Sequence, residues 1–518
     1  MTTLRPMVFG LVATAALVLA ACSGGNVGPG VPRPTGGSGG TGTGGSGGGM
    51  PGTGGTAGST GGIAGSPGGT AGSAGGTAPN QPDAGVGGRT SDARPPTDGS
   101  VPVPAIGETY APATALSPGT GQLTDRRPIP IGFYDATVNK TFVSWMGPGS
   151  DALVKAYDHA TKTWSADKIA GNATFVDKHN YPALVKGNDN RLYIFYGCHN
   201  TPLRMTVSPN PLSIDGTWRD GVVAAAPDAS YPAPIVTENG TIYVFIRLTR
   251  MSNGAADDRP FAFVKSTNNG QTWSTQTVID NYPRTDNLTE IYNGKISYEP
   301  AHGTQKAKIH IAWTLAGGGP GQHVHDAFTR NIYYAYLDPT NDHLFSIRGR
   351  DLGTSIDDIE GEADARVLDT GCSNCAHQTG YQISAHYNDD GTPLIMFGHY
   401  QNGLTAIRWD GTAWQQKVVA TANAEPRDIN KIGPQSFQAF RSSGSTCVVY
   451  RTTDGGSNWA QETIIRAPHP VARCHVIQNG SPEVKVFMEE SPDVSGGGTS
   501  TAGVTAGFAP SYQPASGP

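Results

Sequence analysis

Seven short apolar strands recur along the chain, and this repeat constrains the fold more than any other feature of its 518 residues. They are Phe142–Trp145, Leu192–Tyr196, Ile242–Ile246, Ile309–Trp313, Leu394–Phe397, Cys447–Tyr450 and Val484–Phe487, spaced roughly 40 to 80 residues apart. A unit of that size holds one small antiparallel sheet, which cannot bury both its faces alone and must pack against the next unit. Between the strands run Gly, Asn, Asp and Pro. Asn239-Gly240, Asn293-Gly294, Asp390-Gly391 and Asp410-Gly411 are turn signals. No long amphipathic pattern of helical period intervenes. The expected fold is all-β, a seven-bladed β-propeller spanning residues 106–495.

The rest of the chain reads differently. Arg5 and the apolar run Met7–Leu19 form a positively charged start and a hydrophobic stretch too short for a typical span. This run ends in Leu19-Ala20-Ala21-Cys22, which resembles a bacterial lipobox. The resemblance implies cleavage before Cys22 and lipid on its thiol, so residues 1–22 are expected to be a lipoprotein signal peptide. Ser23 after the cysteine favours the outer membrane, facing the periplasm or the cell surface. Residues 23–105 are almost entirely Gly, Ser, Thr, Pro and Ala. A segment so poor in bulky side chains cannot offset its ordering entropy by burial, and a disordered Gly-rich linker is expected. Residues 496–518 are similar, although Ala502–Phe508 also reads as a closing strand.

The formal net charge is −6 and only 15% of residues are charged. No basic tract with interleaved aromatics appears, which argues against a nucleic-acid partner. A monomer is expected, with the membrane reached only through the lipid anchor. Five cysteines remain beyond Cys22: Cys198, Cys372, Cys375, Cys447 and Cys474. The odd number leaves at least one without an internal partner.

Several turns share a polar-x-Asp/Asn-x-Gly-x-Thr/Asn-Trp pattern. Ser266-Thr-Asn-Asn-Gly270-Gln-Thr272-Trp273 and Thr452-Thr-Asp454-Gly-Gly456-Ser-Asn-Trp459 are the fullest copies. Asp215–Trp218, Asp410–Trp414 and Thr161–Trp164 are degenerate ones. They resemble the Asp-box of sialidase-like propellers, in which a polar residue and a glycine close the turn and Trp wedges between sheets. Such turns mark the rim and do not locate chemistry.

The residues that could carry chemistry sit at strand ends in the second and third units. Asp177-Lys-His179-Asn180-Tyr-Pro182 opens one strand and Tyr196-Gly-Cys-His199-Asn200 closes the next. Ser230-Tyr231-Pro232 and Phe245-Ile-Arg247 repeat the arrangement one unit later. A two-strand hairpin returns its second end to the level of its first, so each pair is expected to lie side by side. This combination resembles the BNR-repeat propellers that include the ulvan lyases and related uronate-acting lyases. Asn331-Ile-Tyr333-Tyr334-Ala-Tyr336 fits as well. The resemblance implies a site of two histidines, a tyrosine and an arginine, falling on His179, His199, Tyr231 and Arg247. It implies a polysaccharide lyase that cleaves a uronate-containing, ulvan-like polymer, sulfated or rhamnose-rich, by β-elimination. That reaction needs a cation for the C6 carboxylate, a base for the C5 proton and an acid for O4, and requires no cofactor. The alternatives are a non-catalytic surface propeller that binds glycans, and a related propeller glycosidase of rhamnose–glucuronate or sialidase-like type. A Tyr-Pro at a strand start is ordinarily packing and a strand-end Arg ordinarily an ion pair, so the four residues argue only jointly.

His399 ends Leu394–His399 and Arg451 ends Cys447–Arg451, in the phase of His199 and Arg247. Both are candidate substrate-binding residues for an anionic chain. Cys372-Ser-Asn-Cys375-Ala-His377 is part of a zinc-like pattern that His310, His323 or His325 would complete as a structural site. A Cys372–Cys375 disulfide and a free pair are the other options. The acidic run Asp357–Asp364 lacks the alternating ligands of a calcium loop and reads as a solvated loop.

Overall fold

The computed structural model describes residues 114–122, 124, 127–250, 258–318, 328–371, 377–421, 428–490 and 501–508. Residues 1–22 and 23–105, the expected signal peptide and linker, lie outside this set, as do Cys372, Cys375, His323 and His325. Seven antiparallel sheets make up the described fold, each chiefly of four strands taken in chain order from the inside outward. Their innermost strands are Gly132–Asp135, Ala183–Lys186, Ala229–Val236, Glu290–Asn293, Ser384–Tyr387, Asp428–Gly433 and Val471–Val476. This is a seven-bladed propeller.

The apolar runs are continuous because both faces of every blade are buried. Along Ile242–Ile246, alternate side chains face opposite neighbours. Ile242, Val244 and Ile246 pack with Tyr193, Phe195 and Met205 of blade two. Tyr243 and Phe245 pack with Ile309, Ile311 and Trp313 of blade four. The ring closes by the same rule: Phe142 of blade one faces blade two, while Val143 and Trp145 pack with Val486 and Met488 of blade seven. Blade seven is completed by the first and the last described strands. Its third strand is Thr501–Phe508, and its outermost is Thr114–Gln122, which pairs with it antiparallel. Backbone bonds from Tyr134 N to Gln478 O (3.0 Å) and from Gln478 N to Gly132 O (3.0 Å) join the inner strands of blades seven and one.

The polar–glycine turns lock blades to their predecessors. Ser266 Oγ accepts the Gly270 N–H at 2.9 Å, and Asn268 Oδ1 accepts that of Thr272 at 2.9 Å. Gly270 has φ +72°, and a Cβ there would meet the Met205 sulfur of blade two at 3.0 Å. Trp273 packs edge-on against Phe195. At Gly456 (φ +94°) a Cβ would lie 2.6 Å from Leu394 of blade five.

Two expectations need correction. The sixth recurring strand is out of phase: Cys447–Tyr450 belongs to the third strand of its blade, and the second strand is Ser436–Ser443. Successive strands of a blade run in opposite directions, so Arg451 lies at the end of the sheet opposite to Arg247. It is exposed there and pairs with Glu462 at 3.0 Å. The run Asp357–Asp364 is not a plain loop. Asp357 caps a helical turn at Asp358–Glu360 in a capping box, and Arg350 and Arg366 pair with Asp364 and Glu362.

Candidate active site

The site begins with a bulge. Blade three's inner and second strands pair Ser230 with Arg247 and then resume at Ala233 with Phe245. The extra residue leaves Tyr231 outside the ladder at φ +60°. Such a backbone is unfavourable for a bulky residue, and more so ahead of Pro232. Bulges re-aim side chains, and strain of this kind collects at functional positions. Here the bulge turns the phenol into a nest of charged groups.

Arg247 lies over one such contact, its Cζ 4.5 Å from the Tyr231 ring centroid and 4.7 Å from that of Tyr292. Arg127, just ahead of blade one, sits 4.1 Å from the Tyr231 centroid and 4.9 Å from the Tyr292 centroid. Arg247 is 1% exposed, and none of its three guanidinium nitrogens has a hydrogen-bond partner of standard geometry among the described residues. A buried cation without hydrogen-bond acceptors is costly unless an anion joins it. Burial opposes the charge, but Tyr231, Tyr292 and the buried Glu290 outweigh it and raise the Arg247 pKa. Burial likewise pushes the Tyr231 phenol up, and Arg247, Arg127 and His179 more than offset it, bringing it down to about 8. Tyr292 moves the other way, held up by burial.

The histidines approach from blade two. His179 precedes that blade's first strand. His199 follows its second strand and begins a short segment, His199–Thr201, that pairs with blade three beside Ser230. Asn200 fixes this crossing: its N–H donates to Ser230 Oγ at 3.0 Å, and its side-chain oxygen accepts from Ser230 and Thr249. The imidazole centroids lie 3.9 Å apart, and 5.8 and 6.0 Å from that of Tyr231. One carboxylate organises both rings. Asp177 Oδ1 lies 2.6 Å from His179 Nδ1, and Oδ2 lies 2.8 Å from His199 Nδ1. Asp177 is itself held by the His179 N–H (2.7 Å) and by a bond from its own N–H to Ser150 Oγ. Burial would raise its pKa, but the bonds from His179 and His199 drive it far below the usual carboxylate range. An ionised carboxylate accepts, so each neutral ring carries its proton on Nδ1 and keeps a lone pair on Nε2. Burial lowers the His199 pKa against the pull of Asp177.

The fold thus brings together His179, His199, Tyr231 and Arg247. It adds Asp177, Arg127 and Tyr292, to which sequence reasoning gave no role. Arg127 opens the Arg127-Pro-Ile-Pro130 segment ahead of the first recurring strand, where the repeat gives no signal. Tyr292 begins blade four's inner edge in the phase of Tyr231, one blade on. His399 does end the second strand of its blade, but its Nδ1 accepts the N–H groups of Gln401 (3.1 Å) and Asn402 (3.3 Å) and closes a turn. Of the zinc-like set, His310 is fully buried with both nitrogens engaged, by Tyr334 at 2.7 Å and Glu299 at 2.9 Å, and is not available to complete it. His377 is exposed, with Nδ1 3.3 Å from the Tyr381 hydroxyl.

The described residues that could hold a metal are instead Asp177, His179 and His199, whose ligand atoms lie within 4.8 Å of one another. The donor set suits a divalent ion. Seating one would displace the two N–H bonds to Asp177, whose 2.6 and 2.8 Å spans are short for two ligands of one zinc.

A sequence model of the BNR repeat-containing family matches residues 140–422, more than half of the chain. The chain belongs to this family. Within it, the protein is related to the ulvan lyases. An ulvan lyase of Alteromonas sp. (strain LOR) is 22% identical over 70% of this chain and 82% of its own length. One from Nonlabens ulvanivorans is 24% identical over 67% and 82%. Among solved structures, a polysaccharide lyase PL25 ulvan lyase bound to -[GlcA(1-4)Rha3S]- superposes with a TM-score of 0.60 at 18% identity, covering 75% of this chain and 95% of the other. The polysaccharide lyase Uly1 gives 0.52 at 13%, covering 79% and 94%. At these identities the superpositions show the shared propeller.

Asp177→Asn is expected to release both imidazoles. Nitrogen-detected NMR of the histidines should show a single Nδ1–H tautomer at His179 and His199 in the parent and mixed tautomers in the variant. Because Asp177 raises the His199 pKa, that value should fall further in Asp177→Asn; an unchanged tautomer and titration would contradict the assignment.

Proposed function

We propose that this protein is a polysaccharide lyase that cleaves a uronate-containing, ulvan-like polymer by β-elimination. The observation that carries the reading is the buried Arg247 guanidinium, without a hydrogen-bond acceptor of standard geometry among the described residues, beside Tyr231 and an Asp177-held histidine pair. Relatives named ulvan lyases, and a solved relative holding a glucuronate–rhamnose-3-sulfate ligand, support the substrate class.

In this reading the uronate carboxylate binds Arg247, whose planar fork suits a bidentate anion. Neutralising that carboxylate makes the C5 proton acidic and stabilises the charge that develops when it leaves. His179, neutral with its Nδ1 proton directed at Asp177, takes the C5 proton on Nε2. The C5–H electrons form the C4=C5 bond, the C4–O4 bond breaks, and Tyr231 gives its proton to O4. His199 keeps Asp177 centred and crowds the carboxylate from the other side. A phenol brought down to about 8 is still protonated just below that pH and is there a better acid than an ordinary tyrosine. Activity is expected to decline as pH rises through about 8, where Tyr231 loses its proton.

The lipobox-like Leu19–Cys22 supports a second proposal, that the chain is an outer-membrane lipoprotein held through Cys22. The linker 23–105 then gives the propeller reach from the bilayer.

Ultraviolet absorbance of the newly conjugated uronate should rise with ulvan or another uronic-acid polymer. Tyr231→Phe and His179→Ala should each lower the rate by about 10²–10⁴-fold, and Arg247→Gln by about 10²–10³-fold. Binding without any absorbance change would favour a glycan-binding propeller, and reducing sugar without absorbance a glycosidase. For the anchor, a radiolabelled fatty acid should appear on the protein in a bacterial host and be lost in Cys22→Ser; label on both or on neither refutes lipidation at that residue.

A further inference from the structure

Two guanidiniums crowd one phenol, yet their surroundings differ. Among the described residues, Arg247 has no hydrogen-bond partner of standard geometry for any of its nitrogens and Arg127 has none for Nε, but Nη1 of Arg127 is tied down. Arg127 Nη1 donates to the Asn293 carbonyl at 3.0 Å and to the Tyr381 carbonyl at 2.9 Å, so it is pinned between blades four and five. It is 6% exposed. Those two carbonyl bonds hold the Arg127 guanidinium in place, and it would have to give them up to swing out to a substrate carboxylate. Its charge can still act on the ring it covers at 4.1 Å, because low-dielectric surroundings strengthen that field.

We infer that Arg127 is a positioning residue of the proposed elimination: a fixed cation that stabilises the phenolate Tyr231 becomes on giving its proton to O4, leaving Arg247 to bind the substrate carboxylate. This rests on the reading of Tyr231 as the acid. The groups facing Tyr231 are consistent with that division. Arg127 and Arg247 cover the ring, His179 and His199 stand 5.8 and 6.0 Å away, and Tyr181 and Tyr292 flank it at 6.4 Å. Two carboxylates stand behind this shell: Asp177, which holds His179 and His199, and Glu290, which acts on Arg247 and Tyr292 and pairs with Arg259 at 3.7 Å. Without Arg127 the phenol would face burial with one guanidinium, and that one is neutralised whenever substrate binds. Arg127 therefore matters most in the complex, when the Arg247 charge is spent.

The test separates this role from substrate binding and from the lyase reading itself. The phenolate of Tyr231 is titrated by ultraviolet difference absorbance without substrate, each protein being compared with its own Tyr231→Phe partner. Arg127→Gln should move the midpoint upward by about 1–3 pH units, and Arg127→Lys, which keeps a cation, by less. With a cleaved polymer, the alkaline limb of kcat should move upward with the midpoint while KM stays near that of the parent. Arg247→Gln should instead raise KM. An unmoved midpoint in a folded Arg127→Gln protein overturns the inference, as does a rise in KM with the alkaline limb unmoved. If Arg127→Gln does not fold, the midpoint of Arg127→Met, which also removes the cation, decides in its place. A protein that cleaves no polymer yet shows the shifted midpoint would sink the lyase reading and leave the electrostatic role of Arg127 standing.

Discussion

The site is built around a phenol whose faces are covered by positive charge. Two buried guanidiniums lie within 4.1 and 4.5 Å of the Tyr231 ring centroid, and among the described residues Arg247 has no hydrogen-bonded counter-ion. Desolvated like charges repel, and each loses hydration that a protein must replace. The fold answers with aromatic faces, with carbonyls from blades four and five, and with Glu290 behind. The arrangement needs a rigid ring of blades, since its members come from the segment before blade one and from blades two, three and four. The residual imbalance is what an anionic ligand would relieve, which ties the stability of the pocket to the chemistry proposed for it.

A second constraint is the single carboxylate of Asp177. By accepting from both Nδ1 atoms it fixes two imidazoles in one tautomer and holds their centroids 3.9 Å apart, closer than two cationic rings would tolerate. Neutral rings protonated on Nδ1 carry their lone pair on Nε2 and are bases and acceptors, not electrostatic clamps. The division proposed between a histidine that takes a proton and a tyrosine that gives one rests on their surroundings: burial and a carboxylate for one, burial and two guanidiniums for the other.

Much of this architecture was legible in the sequence. The apolar runs at blade spacing give the all-β propeller, because only strands buried on both faces need such runs. The blade-two and blade-three strand ends named His179, His199, Tyr231 and Arg247, and these four do converge. The failures have a common cause. A third strand can be as apolar as a second, so Cys447–Tyr450 was read in the wrong phase and Arg451 was placed at the wrong end of its blade. Arg127 belongs to no strand and enters from before the first blade, where periodicity offers no guide. Tyr292 is one of 19 tyrosines, and only the three-dimensional ring sets it against Arg247. The positive φ of Tyr231 arises from a bulge that no residue pattern in Ser230-Tyr-Pro232 announces.

The proposed chemistry breaks the glycosidic bond by elimination, with no water added. Digesting a uronate polymer in water enriched in heavy oxygen and weighing the fragments by mass spectrometry tests it directly. Elimination predicts fragment pairs whose masses sum to that of the parent chain, one bearing the unsaturated uronate, with no heavy oxygen incorporated. Fragments that gain the mass of one labelled water would identify a hydrolase and contradict the base, acid and carboxylate-binding roles of His179, Tyr231 and Arg247.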